Sequence, residues 1–134
     1  MNNDNNETTV TLQADGNHQR TFTSIEIFYD GKAQSIKEEK MPFTVGRDTD
    51  KCDLILDDKL VSREHFALSL KDGLIGLTDM STNGTWVQLG RAQAVHVKNS
   101  FLPLVGSGTI QAGSEITTKN SLLFKVFYET PAKD

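Results

Sequence analysis

From Ile25 to Tyr128, apolar and polar residues alternate in short runs, and each run is closed by glycine, aspartate or asparagine. Alternation with a period of two predicts strands with one face buried, because successive side chains on an extended chain point to opposite sides. Ile25-Glu26-Ile27-Phe28-Tyr29 meets Asp30-Gly31, a two-residue hairpin signal, and Lys32 to Ile36 is the predicted returning strand. Further predicted strands are Phe43-Thr44-Val45, Leu54-Ile55-Leu56, Phe66 to Leu70, Leu74 to Leu77, Trp86 to Leu89, Ala94 to Val97, and Gly108-Thr109-Ile110. The closing run, Leu122 to Tyr128, is the longest and most apolar, which predicts a central strand buried on one or both faces. Only Ser35 to Glu39 hints at a helix, over too few residues to sustain one. Many short strands separated by turn residues predict an all-β sandwich or barrel.

The opening Met1 to Glu7 is polar, and Gln13 to Arg20 is polar again, so neither offers burial to offset the entropy of ordering. Residues 1–20 are therefore expected to form a flexible tail, with Val10-Thr11-Leu12 as a stray strand candidate. Residues 21–130 are expected to fold as one domain, and 131–134 to be a short C-terminal tail. The whole chain, 134 residues, has room for one core.

Charge and cysteine content narrow the function classes. Eighteen acidic against 14 basic residues give a net charge of −4, which argues against a surface that follows nucleic-acid phosphates nonspecifically. Cys52 is the one cysteine, so neither an internal disulfide nor a cysteine metal cage is expected, and a reducing cytoplasmic setting fits. The chain shows no leader pattern and no apolar stretch of about 20 residues, so no membrane association is expected. It reads as a soluble protein or a piece of a larger one.

Three polar clusters sit where predicted strands end, and together they can build a local anion site. Arg47, after Gly46, carries a planar forked cation suited to two phosphate oxygens; pairing with Asp48 or Asp50 is its ordinary alternative. Ser62-Arg63-Glu64-His65 offers a hydroxyl that either donates to an anion or caps a turn, and a histidine expected to hold the loop through its ring nitrogens. Ser81-Thr82-Asn83-Gly84-Thr85 contains Asn-Gly, the favoured centre of a type I′ turn, surrounded by hydroxyls that a turn alone does not require. The Asn83 carboxamide both donates and accepts, as a group gripping a peptide main chain must.

Other chemistries find less support. Ser62, His65 and Asp79 suggest a hydrolytic triad, but a serine and histidine three apart at a strand edge are expected on staggered faces, and the strained Gly-x-Ser-x-Gly elbow is missing. Cys52, His18, His65 and His96 lack metal-ligand spacing, and Gly106-Ser107-Gly108 lacks the third glycine and following helix of a nucleotide loop. No catalytic residue, metal or cofactor is expected.

Gly46-Arg47, Ser62-Arg63-Glu64-His65 and Thr82-Asn83-Gly84-Thr85 resemble, in order and spacing, the three motif blocks of the forkhead-associated (FHA) domain. The flanking runs fit as well, and the resemblance spans about Ile25 to Tyr128. It implies a β-sandwich of about eleven mostly antiparallel strands, whose end loops bind phosphothreonine peptides in signalling. By the same resemblance, Arg47, Ser62, Arg63 and Thr82 would bind phosphate, and Asn83 would hold the peptide main chain. Gly46, His65 and Gly84 would shape the loops without touching ligand. The family usually has an asparagine shortly after this turn; Gln88 is the nearest residue here, which leaves the pairing of that strand open. The implied partner is a phosphothreonine protein, the substrate of a serine/threonine kinase, bound by a monomer and without nucleic acid or membrane. Leu60 and the loop from Thr117 to Ser121 are candidates for reading residues beside the phosphothreonine. A phospho-independent assembly domain, acting through a sheet face or the apolar Phe101 to Val105 segment, is the competing function class.

Overall fold

The computed structural model describes residues 21–117 and 120–129. The expected tails at 1–20 and 131–134, with the candidate strand at Val10-Thr11-Leu12, lie outside the described residues.

Among those residues the chain forms eleven strands: β1 (Thr21–Tyr29), β2 (Lys32–Ile36), β3 (Phe43–Gly46), β4 (Leu54–Ile55), β5 (Phe66–Lys71), β6 (Leu74–Asp79), β7 (Thr85–Leu89), β8 (Val95–Val97), β9 (Phe101–Pro103), β10 (Ser107–Ala112) and β11 (Ser121–Glu129). One sheet has the order β2-β1-β11-β10-β7-β8 and the other β4-β3-β5-β6-β9. All pairings are antiparallel except the short β3–β4 ladder. The helix hint at Ser35 to Glu39 resolves into the end of β2 and a single 3₁₀ turn at Glu38–Lys40.

The β1–β2 hairpin turns through Asp30 and Gly31 at φ of 53° and 76°, the left-handed pair a type I′ connection requires. β11 lies between β1 and β10. It buries Leu122, Phe124 and Val126 while Leu123, Lys125 and Phe127 face outward, so this central strand is covered on one face only. The alternating faces of the two sheets meet in one core built around Ile25, Phe66, Leu68, Ile75, Leu77, Val87, Ile110 and Phe124. Burying each of these side chains stabilises the fold by about 1.5–3 kcal/mol, and together they hold the two sheets face to face.

The Phe101 to Gly113 segment is shared between the two sheets. β9 edges the five-stranded sheet beside β6, whereas β10 lies inside the other sheet between β7 and β11. Leu104, completely buried, anchors the crossing between them. Gln88, where the family pattern led us to expect an asparagine, leaves strand pairing intact: β7 is bonded to both β8 and β10, and the Gln88 amide donates to the Ala92 carbonyl at 2.9 Å. Gly108 explains part of the glycine-rich segment, since a Cβ there would stand 2.0 Å from the Gln88 carbonyl oxygen of β7. That close approach is a packing demand between strands.

Gly108→Ala is expected to lower stability by about 1–3 kcal/mol through forced separation of β7 and β10. Chemical denaturation of the variant beside the parent chain checks this, and equal midpoints would contradict it.

Candidate functional site

Three loops meet at one end of the sandwich: residues 47–53 after β3, residues 56–65 between β4 and β5, and residues 80–84 between β6 and β7. Each begins where a strand ladder stops, so its backbone groups need partners outside the sheets. They find them in one another.

The first two loops are joined along their main chains. Arg47 N–H donates to Ser62 O at 3.0 Å, and Asp48 N–H donates to Arg63 O at 3.1 Å. Arg47 Nε adds a bond to Val61 O at 2.9 Å, which fixes the root of the exposed guanidinium. Gly46 permits this approach, because a Cβ there would lie 2.2 Å from Arg63 O and 2.9 Å from Cys52 Sγ. The Cys52 thiol donates to the same Arg63 carbonyl at 3.0 Å, and burial pushes its pKa up, keeping the proton that makes the bond.

His65 joins the second loop to the third. Ser62 N–H donates to His65 Nδ1 at 2.9 Å, so that nitrogen is the bare acceptor of a neutral ring. Nε2 therefore carries the proton and donates to Gly84 O at 2.8 Å. The ring is 0% exposed. Burial lowers its pKa, against the smaller opposing influence of the Gly84 carbonyl and Asp79. The imidazole folds back to the serine's backbone N–H rather than its hydroxyl, which accepts from Thr82 N–H. With both ring nitrogens spent on loop backbone, His65 is not placed to take a proton from Ser62.

The Ser62 hydroxyl accepts from Thr82 N–H at 3.1 Å, which leaves its own hydrogen to donate elsewhere. Asn83 Nδ2 donates to Leu60 O at 3.0 Å, leaving Oδ1 and the second amide hydrogen of an exposed side chain. Arg47, Arg63, Thr82 and Asn83 are all exposed, Ser62 is half-buried, and Gly46, His65 and Gly84 are buried beneath them. The eight residues singled out by the motifs thus lie in one hydrogen-bonded cluster of loops.

The third loop differs from its sequence expectation in two respects. Gly84 has a φ of 89°, but Asn83 does not have positive φ, so the Asn-Gly pair is not the centre of a type I′ turn. The hydroxyls that seemed surplus also divide: Ser81 and Thr85 turn inward, each donating to Asp79 Oδ1 at 2.7 Å, and Thr82 alone of the three is exposed. Asp79 Oδ2 further accepts Ser81 N–H at 3.2 Å and Asn99 N–H at 2.9 Å. Burial by itself would raise the Asp79 pKa, yet the Asn99 N–H, the Thr85 and Ser81 hydroxyls and the Ser81 N–H outweigh it and hold the carboxyl below its ordinary value. Asp79 was legible as a turn residue at a strand end; its buried anion has no signature apart from the serine and threonine that follow.

Beyond these loops, Gly113 and Asn120 add two further bonds to the rim. Gly113 N–H donates to Gly84 O at 3.0 Å, and Asn120 Nδ2 donates to Asp58 Oδ2 at 2.9 Å. Among the described residues, no group of three or more histidine, cysteine, aspartate or glutamate side chains is arranged to hold a metal, and no helix is long and apolar enough to cross a membrane.

Residues 43–102 match the family model of the FHA domain. No curated protein sequence matches the chain. Among solved structures, the N-terminal FHA domain of S. cerevisiae Rad53p, in complex with a phosphothreonine peptide, is 26% identical with a TM-score of 0.57, over 78% of this chain and 92% of that one. The FHA-1 domain of Mycobacterium tuberculosis Rv1747 is 21% identical with a TM-score of 0.59, over 79% and 98%. The MEK1 FHA domain, in complex with a HOP1 phosphothreonine peptide, is 17% identical with a TM-score of 0.59, over 78% and 97%. Two mostly antiparallel sheets of eleven strands in this arrangement are the FHA β-sandwich.

Two predictions arise from the buried polar groups. His65→Ala leaves Ser62 N–H and Gly84 O without a partner and is expected to lower stability by at least about 2 kcal/mol. Above a pH near 6.5 the ring is neutral in both folded and unfolded chains, and its contribution is complete. As pH falls further, the unfolded ring takes a proton that the folded ring resists, so stability declines until the folded pKa is passed. Thermal melts between pH 8 and 5 should show a steeper acid loss for the parent than for His65→Ala; parallel profiles would contradict it. Asp79→Ala is expected to cost about 3 kcal/mol or more, since four donors lose a buried anion. For the parent, this contribution is present above the ordinary carboxyl value of 3.8 and is lost as pH falls through the lower folded pKa. Denaturant titrations at neutral pH measure the substitution's cost.

Proposed function

We propose that this chain, through its FHA domain, recognises phosphothreonine-containing segments of partner proteins. The observation that carries the reading is the convergence of Arg47, Ser62 and Thr82 on one rim, through loops tied by Arg47 Nε to Val61 O and by Thr82 N–H to Ser62 Oγ. A guanidinium whose Nε is already committed still presents two amino groups, and these match two oxygens of a phosphate. The Ser62 and Thr82 hydroxyls add short donors, and Arg63 supplies a second exposed cation beside them.

Asn83 has the chemistry to hold the peptide itself. Its carboxamide retains an acceptor and a donor after bonding Leu60 O, enough to meet one N–H and one C=O of an extended chain. Gly46, His65 and Gly84 then serve by shape, lying under the rim. The phosphothreonine peptides bound by the Rad53p and MEK1 FHA domains support the same ligand class here. A phosphate carries nearly two negative charges, and the chain's own net charge is −4, so affinity rests on short charge-assisted contacts rather than long-range attraction. The partner is read as the product of a serine/threonine kinase, bound by a monomeric module within intracellular signalling, without enzymatic action on the phosphate.

Isothermal titration is expected to show binding of phosphothreonine peptides from a degenerate library and none of their unphosphorylated forms. Arg47→Ala is expected to reduce that binding by about 2–5 kcal/mol while the thermal melt stays cooperative. Equal affinity for both peptide forms would overturn phosphate recognition in favour of phospho-independent assembly, and an unchanged affinity in the folded variant would remove Arg47 from the site.

A further inference from the structure

Strand β8 and the residue that follows it carry two polar side chains, His96 and Lys98, that the motif comparison leaves without a task. His96 Nε2 bonds Asn83 O at 3.1 Å, and Lys98 Nζ donates to Thr82 O. With His65 Nε2 on Gly84 O, three successive carbonyls of the Thr82-Asn83-Gly84 segment are each held by a different basic side chain. Two of the three holders stand on or beside one short edge strand.

His96 is itself held in place. It lies opposite Trp86 in the β7–β8 ladder, and the two rings stack with centroids 4.0 Å apart and planes 23° from parallel. The fit is tight on the loop side too: a Cβ on Gly84 would lie 2.0 Å from His96 Nε2. Gly84 therefore answers two demands, a positive φ and the space taken by this imidazole. Because Asn83 O is an acceptor only, Nε2 must carry hydrogen for this bond.

We infer that His96 and Lys98 are positioning residues for the peptide-reading loop, with Trp86 as the platform that aims His96. Resting on the phosphothreonine reading above, the inference assigns to β8 the task of presenting Thr82 and Asn83 in a fixed attitude toward the ligand. A backbone movement that swings Thr82 or Asn83 out of this attitude must carry the carbonyls at 82 and 83 with it, and pinning those carbonyls opposes the movement. Neither His96 nor Lys98 touches ligand in this role. Their effect appears as preorganisation: a loop already ordered loses less freedom on binding.

Amide hydrogen exchange of the unliganded full chain tests the positioning directly, independently of any ligand. Thr82 N–H, bonded to Ser62 Oγ, and Gly84 N–H, bonded to Ser81 Oγ, report on the loop. His96→Ala should accelerate exchange at both amides while β1 and β11 amides and the melting temperature remain as in the parent. His96→Gln, whose amide nitrogen reaches a similar position, should restore protection, and Lys98→Arg should do so relative to Lys98→Met. Phosphothreonine-peptide affinity should fall about three- to tenfold in His96→Ala, the equivalent of one hydrogen bond, and return in His96→Gln.

Unchanged exchange at Thr82 and Gly84 in both His96→Ala and Lys98→Met would overturn the inference. So would acceleration spread evenly through the core, which marks a general stabilising role, or a loosened loop with unaltered peptide affinity. If the loop loosens locally while the parent chain binds no phosphothreonine peptide, the positioning stands and the ligand assignment falls.

Discussion

One neutral imidazole joins the parts of this molecule that carry its chemistry. His65 accepts from Ser62 N–H on one side and donates to Gly84 O on the other, so a single buried ring sets the distance between two loops that come from different places in the chain. Both bonds require the same tautomer, and burial maintains the uncharged form that provides it. Without this tie the loop carrying Ser62 and the loop carrying Thr82 and Asn83 would be aligned by the Ser62 hydroxyl, the Leu60 carbonyl and the Met80 N–H to His65 O bond.

Around that ring the polar residues sort into two populations by depth. Asp79, Ser81 and Thr85 point inward and satisfy one another, with Asp79 taking four donors. Arg47, Thr82 and Asn83 remain exposed and are tied to the second loop: Arg47 Nε to Val61 O, Thr82 N–H to the Ser62 hydroxyl, and Asn83 Nδ2 to Leu60 O. The inner set stabilises the turn, and the outer set keeps donors available. A loop built this way can be rigid and still meet an anion, because each presented side chain keeps a donor after its anchoring bond is made.

Rigidity of this kind matters for a chain with a net charge of −4. On the proposed phosphopeptide reading, long-range attraction would not gather the anionic ligand to its surface, and the geometry of a few short contacts would decide binding. The carbonyl anchors from His65, His96 and Lys98 act on that geometry from behind the presented side chains.

Alternation along the chain was sufficient to identify the all-β class and the strands other than β9, because the period of two is a local property of extended backbone. The motif blocks likewise singled out eight residues that the fold gathers in one cluster of loops, since their order and spacing survive whatever the loops do between them. Other features depended on contacts between distant segments. Phe101 to Gly113 divides between two sheets, as only the packing of Leu104 and the pairing of β10 with β7 and β11 could decide. Asn83-Gly84 looks like a type I′ turn in isolation, but His65 and Gly113 bind the Gly84 carbonyl from outside the turn and His96 occupies the space above it. His96 stands in the sequence only as a histidine without metal-ligand spacing, because its meaning lies in Trp86 and Asn83, which the fold alone brings to it. Thus the sequence determined which residues form strands and which carry the polar chemistry, both being written in local pattern. The tertiary structure decided which hydroxyls face inward and which side chains hold the rim, since those choices arise from hydrogen bonds across loops that are far apart in the chain.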